Sequence, residues 1–179
     1  MILTKQHASV IIRTAQVADA QAIARVRVAA WRAAYRGLMP DAYLERANLE
    51  AIETEQLRNR LGAIGDRARV SVAESNERVV GYCAYGCDAN DELGCLKGAI
   101  YDLYAHPQLW YHGVGQQLLA YAVEYFKTQG CSQATLWVYE ENIRARRFYE
   151  RAGWSRDGHR EMYKHCDFSR PVLRYRTAF

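Results

Sequence analysis

The sequence predicts a mixed α/β fold, one sheet flanked by helices, and three observations carry that prediction. Val114, Leu118, Leu119, Ala122, Val123 and Phe126 recur at three- and four-residue spacing and make one apolar helical stripe, with Gln117, Glu124 and Lys127 elsewhere on the surface. Short apolar runs on either side, Ile100 to Ala105 and Ala134 to Tyr139, have the length and composition of strands. A strand, helix, strand succession of this kind implies a right-handed parallel crossover. With 179 residues the chain fits a single domain, 1–179, long enough to bury a substantial core.

The remaining elements follow in order. Val10-Ile11-Ile12-Arg13 is a short strand, and Asp19 offers an N-cap to a helix with Ile23, Val26, Ala30 and Ala34 on one face. That helix runs to about Tyr35 and ends at Gly37. Leu38-Met39-Pro40-Asp41 makes a turn, with Pro40 placed to start a second helix through Tyr43 and Leu44. A third helical stretch carries Ile52, Gln56 and Leu57 to about Leu61. Val70 to Ala73 and Val79 to Tyr85 are strands of a hairpin turned by Ser75-Asn76-Glu77-Arg78, and the polar residues from Asp88 to Glu92 form a loop. Asn142 begins the last helix, whose inward face is Ala145, Phe148, Tyr149 and Ala152, and Gly153 ends it. Met162-Tyr163-Lys164 and Val172 to Arg176 are closing strands.

Half the residues are hydrophobic and a quarter charged, which predicts an ordinary soluble globular protein rather than a disordered one. The net charge of +4 reflects arginines grouped at Arg144, Arg146, Arg147 and Arg151 and at Arg170, Arg174 and Arg176. This mild basic bias suits a polyanionic ligand as well as a plain solvated face, and no nucleic-acid recognition motif accompanies it. Five cysteines, Cys83, Cys87, Cys95, Cys131 and Cys166, include no Cys-x-x-Cys pair, and no two histidines stand at ligand spacing, so no metal is predicted. Their odd number gives no support to a disulfide framework and fits reduced thiols in a cytoplasmic protein. Met1 to His7 has no long apolar run or cleavage pattern, and no stretch approaches the roughly 20 apolar residues that span a membrane.

The turn His112-Gly113-Val114-Gly115 places two glycines where the first helical N–H groups have no partners inside the helix. Those donors, with the positive end of the helix dipole, hold phosphate, and a pyrophosphate fits there. Leu103-Tyr104-Ala105-His106-Pro107, followed by Gly113-Val114-Gly115 and Leu118-Leu119, resembles the acetyl-coenzyme A (acetyl-CoA) binding segment of the GNAT superfamily of N-acetyltransferases. A second block, Asn142, Ala145, Phe148-Tyr149 and Ala152-Gly153-Trp154, resembles the family's next segment; together the blocks cover roughly the last half of the chain.

The resemblance implies a GNAT-like mixed, mostly antiparallel central sheet flanked by helices, with one parallel strand pair splayed around the cofactor. It implies pyrophosphate contact by the backbone amides of His112, Gly113, Val114, Gly115 and Gln116. Leu103 and Ala105 would offer backbone groups to the pantetheine arm, as an exposed strand edge does, and a backbone N–H near Leu103 or Tyr104 would stabilise an oxyanion. Asn142 and Tyr149 are seven residues apart, share a helix face and stand about 10 Å apart along its axis. By resemblance the asparagine bonds the pantetheine arm and the tyrosine gives a proton to the departing thiolate. An unperturbed phenol, with a pKa of about 10, is protonated at neutral pH. Without the resemblance, Asn142 reads as a helix N-cap and Tyr149 as a packed core aromatic.

Three positions depart from the family pattern. Trp110 stands where a Gln or Arg is usual, His112 where a basic residue precedes the first glycine, and Ala99 where many members have a Glu as general base. Asp102 is nearby, but regular alternation puts it on the opposite face from Ala99. Asp102, water, Asp41 and Glu45 are the remaining routes for the amine's proton. Trp31, Tyr35, Leu38, Met39 and Tyr43 surround the turn that borders the acceptor site in this family. They serve equally as core or, with a carboxylate such as Asp41, as an aromatic wall for a primary amine.

The expected activity is direct transfer of an acetyl group from acetyl-CoA to a primary amine, borne by a small molecule or a peptide. Exposed closing strands could pair two copies into a homodimer. Two rival readings remain. In a dinucleotide-binding dehydrogenase the Gly-x-Gly turn would be followed by Glu140 or Glu141, although Leu118 occupies the third glycine position. In a non-catalytic acyl-coenzyme A sensor the fold persists without the missing Glu.

Overall fold

The structure, a computed structural model, describes residues 9–63, 65, 68–89, 96–165 and 168–179. Its sheet has the strand order β1-β2-β3-β4-β5-β7-β6, with β1 at Ile11–Thr14, β2 at Ala68–Ser75, β3 at Arg78–Ala89, β4 at Leu96–Ala105, β5 at Gln133–Tyr139, β6 at Ser155–His165 and β7 at Phe168–Ala178. Every pairing is antiparallel except β4 with β5. A doubly wound dehydrogenase sheet needs a run of parallel strands, so that rival is set aside.

Five helices accompany the described strands: α1 (Ala20–Ala34), α2 (Asp41–Leu44), α3 (Leu49–Gly62), α4 (Val114–Thr128) and α5 (Ile143–Arg151). Strand alternation divides the core between the two faces of the sheet. On β3, Tyr82 and Ala84 pack with Ile23 and Val26 of α1 and Leu57 of α3. Cys83 and Tyr85 point the other way, toward Val114, Leu118, Ala122 and Phe126 of α4, and Phe148 and Tyr149 of α5 join that side. Gly98 of β4 shows how closely α4 lies: a Cβ there would stand 2.6 Å from the Phe126 ring. The β2–β3 hairpin turns on Asn76 and Glu77, both at positive φ (48° and 59°), as a two-residue turn matched to strand twist requires.

Several local expectations are corrected. Asp19 caps α1 with no side-chain bond; its carboxylate instead accepts from Gln16 N–H and pairs with Arg13 at 2.7 Å, starting a short 3-10 turn just before α1. Ala152 is exposed just past the end of α5. The closing strands are longer than their apolar centres, because the ladder from Ser155↔Arg176 to His165↔Phe168 also recruits polar residues. Asp88 and Ala89 still belong to β3, and the rest of the predicted loop, with Met1 to His7, Cys95 and Cys166, lies outside the described residues.

One irregularity in β4 matters for the site. Ala84 pairs with Asp102 but Tyr85 pairs with Ile100, so Tyr101 is an extra residue in a bulge. The bulge resets the alternation. Ile100 and Leu103 face α4, whereas Asp102 reaches Arg27 of α1. Ala99, next to Ile100, therefore points to the same face as Asp102, which reverses the expectation of opposite faces.

Candidate active site

The parallel pair comes apart. β4 and β5 are in register from Gly98↔Ala134 to Ile100↔Leu136, yet β4 continues to Ala105 and β5 to Tyr139 without further pairing. His106 N–H donates to Val80 O at 2.8 Å on the β3 side. In an antiparallel ladder alternate residues turn their backbone groups to opposite edges, so Ala105 and Leu103 direct theirs into the opening. Trp110 Nε1 already donates to the Ala105 carbonyl at 2.9 Å, while the pairing with β5 leaves Leu103 without a strand partner there.

A cleft of about 310 Å³ runs from this edge to the start of α4, lined by Leu103, Ala105, Trp110, Gly113, Gly115 and Tyr149 among others. Gly113, at φ +83°, precedes α4 and no side chain caps that end; the first helical N–H groups consequently face the cleft as free donors. A Cβ on Gly115 would touch the Phe148 ring at 3.4 Å, so the turn and α5 are close neighbours. His112 N–H is occupied by Leu109 O at 3.3 Å, and its ring is exposed with Nδ1 2.9 Å from Trp110 O. Gln116 is exposed and lines the cleft. Trp110 carries the Arg144 guanidinium 3.5 Å above its ring, a cation–π contact that forms one wall.

A second cleft, of about 410 Å³, opens between α1, α3 and the splayed ends of β4 and β5. The two clefts share Leu103, Tyr104, Arg144, Ala145 and Tyr149, so a molecule lying through the splay connects them. Tyr149 is 8% exposed, packed edge-on to Phe148 with a 5.1 Å centroid distance, and has no side-chain hydrogen-bond partner among the described residues. Burial raises its phenol well above the ordinary range, with nearby Cys83, Tyr104 and Asp102 adding to the shift. Asn142 is the N-cap of α5, its Oδ1 accepting from Ala145 N–H at 3.1 Å, which leaves its amide N–H groups for the second cleft that it lines. Both readings of Asn142 are thus compatible.

Trp31 and Tyr35 line the second cleft; Asp41 is exposed and lines neither cleft, and Glu45 is exposed and pairs with Arg36 at 2.7 Å. The Tyr35 and Tyr104 hydroxyls lie 3.1 Å apart, and burial pushes the Tyr104 phenol up to about 12. Trp31 Nε1 is buried and makes no close hydrogen bond among the described residues, although it lies near enough to the Tyr104 hydroxyl to hold that phenol's rise in check. Asp102 is tied down: its Oδ2 accepts from Arg27 at 2.5 Å and from Arg60 at 3.2 Å.

Arg27 and Glu53 were not anticipated as site residues. Arg27 is 4% exposed and donates to Glu53 at 2.8 Å, to the Tyr82 hydroxyl at 2.6 Å and to Asp102. Burial opposes its charge, but Tyr82, Asp102 and Glu53 outweigh that effect and keep the guanidinium protonated. A signal existed. Arg27 interrupts an apolar stripe on α1, and Glu53 sits midway between Leu49 and Leu57 at four-residue spacing, where a charge must be paired if it is buried.

Comparison with known proteins agrees with this geometry. The acetyltransferase (GNAT) family model matches residues 28–154, from the second half of α1 to Trp154, and includes the residues that the two clefts share. An uncharacterised N-acetyltransferase of Archaeoglobus fulgidus is 34% identical over 141 residues, 77% of this chain and 88% of that one. An uncharacterised N-acetyltransferase of Bacillus subtilis is 29% identical over 134 residues, 74% of this chain and 73% of its own. Among solved structures, the PaiA N-acetyltransferase of Thermoplasma acidophilum in complex with coenzyme A superposes with a TM-score of 0.75 at 21% identity, covering 93% of this chain and 98% of that one. A family match over most of the chain and a relative above 30% identity, on top of a splayed parallel pair beside an uncapped glycine turn, place this protein in the GNAT family of acetyltransferases.

Proposed function

We propose that this protein is an acetyl-CoA-dependent N-acetyltransferase acting on a primary amine. The observation that supports it best is the pair of clefts that meet at Tyr149: one beside the free helix donors of α4, the other lined by aromatic and charged groups between α1 and α3. In this reading Gly113, Val114, Gly115 and Gln116 hold the pyrophosphate by backbone N–H groups, with His112 joining only if it releases Leu109. Leu103 and Ala105 hold the pantetheine arm by their backbone groups, Tyr104, whose backbone is turned to β3, offers only its side chain to the shared wall, and Asn142 bonds the arm through the amide N–H groups its cap leaves over. Acetyl-CoA supplies an acetyl group activated as a thioester, and the acceptor amine enters through the second cleft.

Tyr149 holds its proton firmly, because burial disfavours the phenolate. It is therefore protonated at neutral pH and gives its proton to the departing thiolate, and the phenolate that burial disfavours regains a proton from water. The ammonium of the acceptor must lose a proton before it can attack. Glu53 and Asp102, the carboxylates lining the second cleft, are both engaged by Arg27, so water is the route that proton takes. Release of free thiol from acetyl-CoA across a panel of amines tests the reading; thiol release with at least one amine is expected. Binding of coenzyme A without release for any amine would replace it with a sensor of the same fold, and stabilisation by NAD instead of coenzyme A would remove both.

A further inference from the structure

The charged side chains that line the second cleft include more cations than anions. Three arginines line it, Arg27, Arg60 and Arg144, against two carboxylates, Glu53 and Asp102. Each carboxylate is already in an ion pair, Glu53 with Arg27 at 2.8 Å, Asp102 with Arg27 and, at 3.2 Å, with Arg60. Arg144 has no acidic partner among the described residues and rests on Trp110 instead. The Arg60 side chain is 53% exposed, and its contact to Asp102 uses Nη1 alone, leaving the other guanidinium nitrogens without a side-chain partner among the described residues.

A receptor for a polycation would show the opposite pattern, with carboxylates free to take up each ammonium group. Here the cleft offers one region suited to an ammonium, the rings of Tyr35, Tyr104 and Tyr139 with the paired hydroxyls of Tyr35 and Tyr104. It offers another suited to an anion, at Arg60. Resting on the reading of this cleft as the acceptor site, we propose that the acceptor carries a carboxylate beside its amine, as an amino acid does, with Arg60 receiving the carboxylate. Polyamines and simple monoamines are then poor acceptors.

Matched pairs differing only in the carboxylate test this: ornithine against putrescine, lysine against cadaverine, tyrosine against tyramine. Calorimetric titration into the full chain saturated with coenzyme A reads binding independently of turnover, and thiol release from acetyl-CoA is followed in parallel. In at least one pair the carboxylate member is expected to bind about tenfold more tightly, the worth of one charge-assisted hydrogen bond. Arg60→Gln is expected to remove that difference without abolishing coenzyme A binding. Equal or tighter binding of the decarboxylated members in every pair, no binding by any carboxylate member, or a preference that survives Arg60→Gln overturns the inference. Carboxylate-selective binding with no thiol release would leave it standing while overturning the acetyltransferase reading, and thiol release with the decarboxylated amines alone would do the reverse.

Discussion

Arg27 and Asp102, 75 positions apart in the chain, meet at 2.5 Å beneath the second cleft. The same guanidinium also holds Glu53 and Tyr82, so a single side chain links α1 to α3, β3 and β4. Removing it strands the almost wholly buried Glu53 and leaves Asp102 with Arg60 alone. Arg27→Met is expected to lower stability by about 3–5 kcal/mol, the usual cost of breaking a buried ion pair from one side. Denaturant unfolding measures it. A midpoint equal to wild type would show that the network is energetically idle.

Asp102 follows from the same network. With its Oδ2 shared by two arginines it braces β4, and in the proposed mechanism the amine's proton goes to water instead. Asp102→Asn should reduce stability while leaving the low-pH limb of kcat/KM where it is in wild type. A shift or disappearance of that limb would make Asp102 the base after all.

Gly98 is a contact of close approach between β4 and α4. An alanine methyl there would lie 2.6–2.7 Å from three atoms of the Phe126 ring, which is itself fully buried and has little room to move. Gly98→Ala should cost about 1–3 kcal/mol as overpacking does, and Phe126→Leu in the same chain should make the alanine less harmful than it is alone. Additive losses in the double variant would contradict the contact.

Burial pushes the Tyr104 phenol up to about 12, with the Asp102 charge adding to it, and burial likewise raises Tyr85 to about 12 against the hydrogen bond from Ser71. An unfolded phenol titrates near 10. The folded state thus binds these protons more tightly than the unfolded one. Their contribution is complete below about pH 10 and is lost as pH rises through about 12. The melting temperature should fall across that window, with phenolate absorbance growing as the protein unfolds, and Tyr104→Phe should reduce the slope. Full phenolate absorbance with the fold intact would contradict it.

Much of this fold was legible because it rests on periodicity. The α4 stripe, the hairpin at Asn76-Glu77 and the strand order around α4 all follow from local pattern. The glycine turn was legible because its chemistry belongs to consecutive residues. The bulge at Tyr101 was not, since an extra strand residue leaves no mark in an alternation read two positions at a time, and it inverted the placement of Asp102 relative to Ala99. Asp41 is near Tyr35 and Tyr43 in sequence, and in the fold it stands exposed at the start of the short α2. The carboxylates that do line the cleft, Glu53 and Asp102, come from α3 and β4, and tertiary contact alone unites them.

Tyr149 stands where both clefts meet, and the proposed chemistry depends on its hydroxyl more than on any other single atom. The measurement is Tyr149→Phe, comparing thiol release from acetyl-CoA with the Kd for coenzyme A in the same preparations. Turnover is expected to fall by about a hundredfold or more, the usual worth of a positioned proton donor, with coenzyme A affinity nearly unchanged. Turnover equal to wild type would remove Tyr149 from the mechanism.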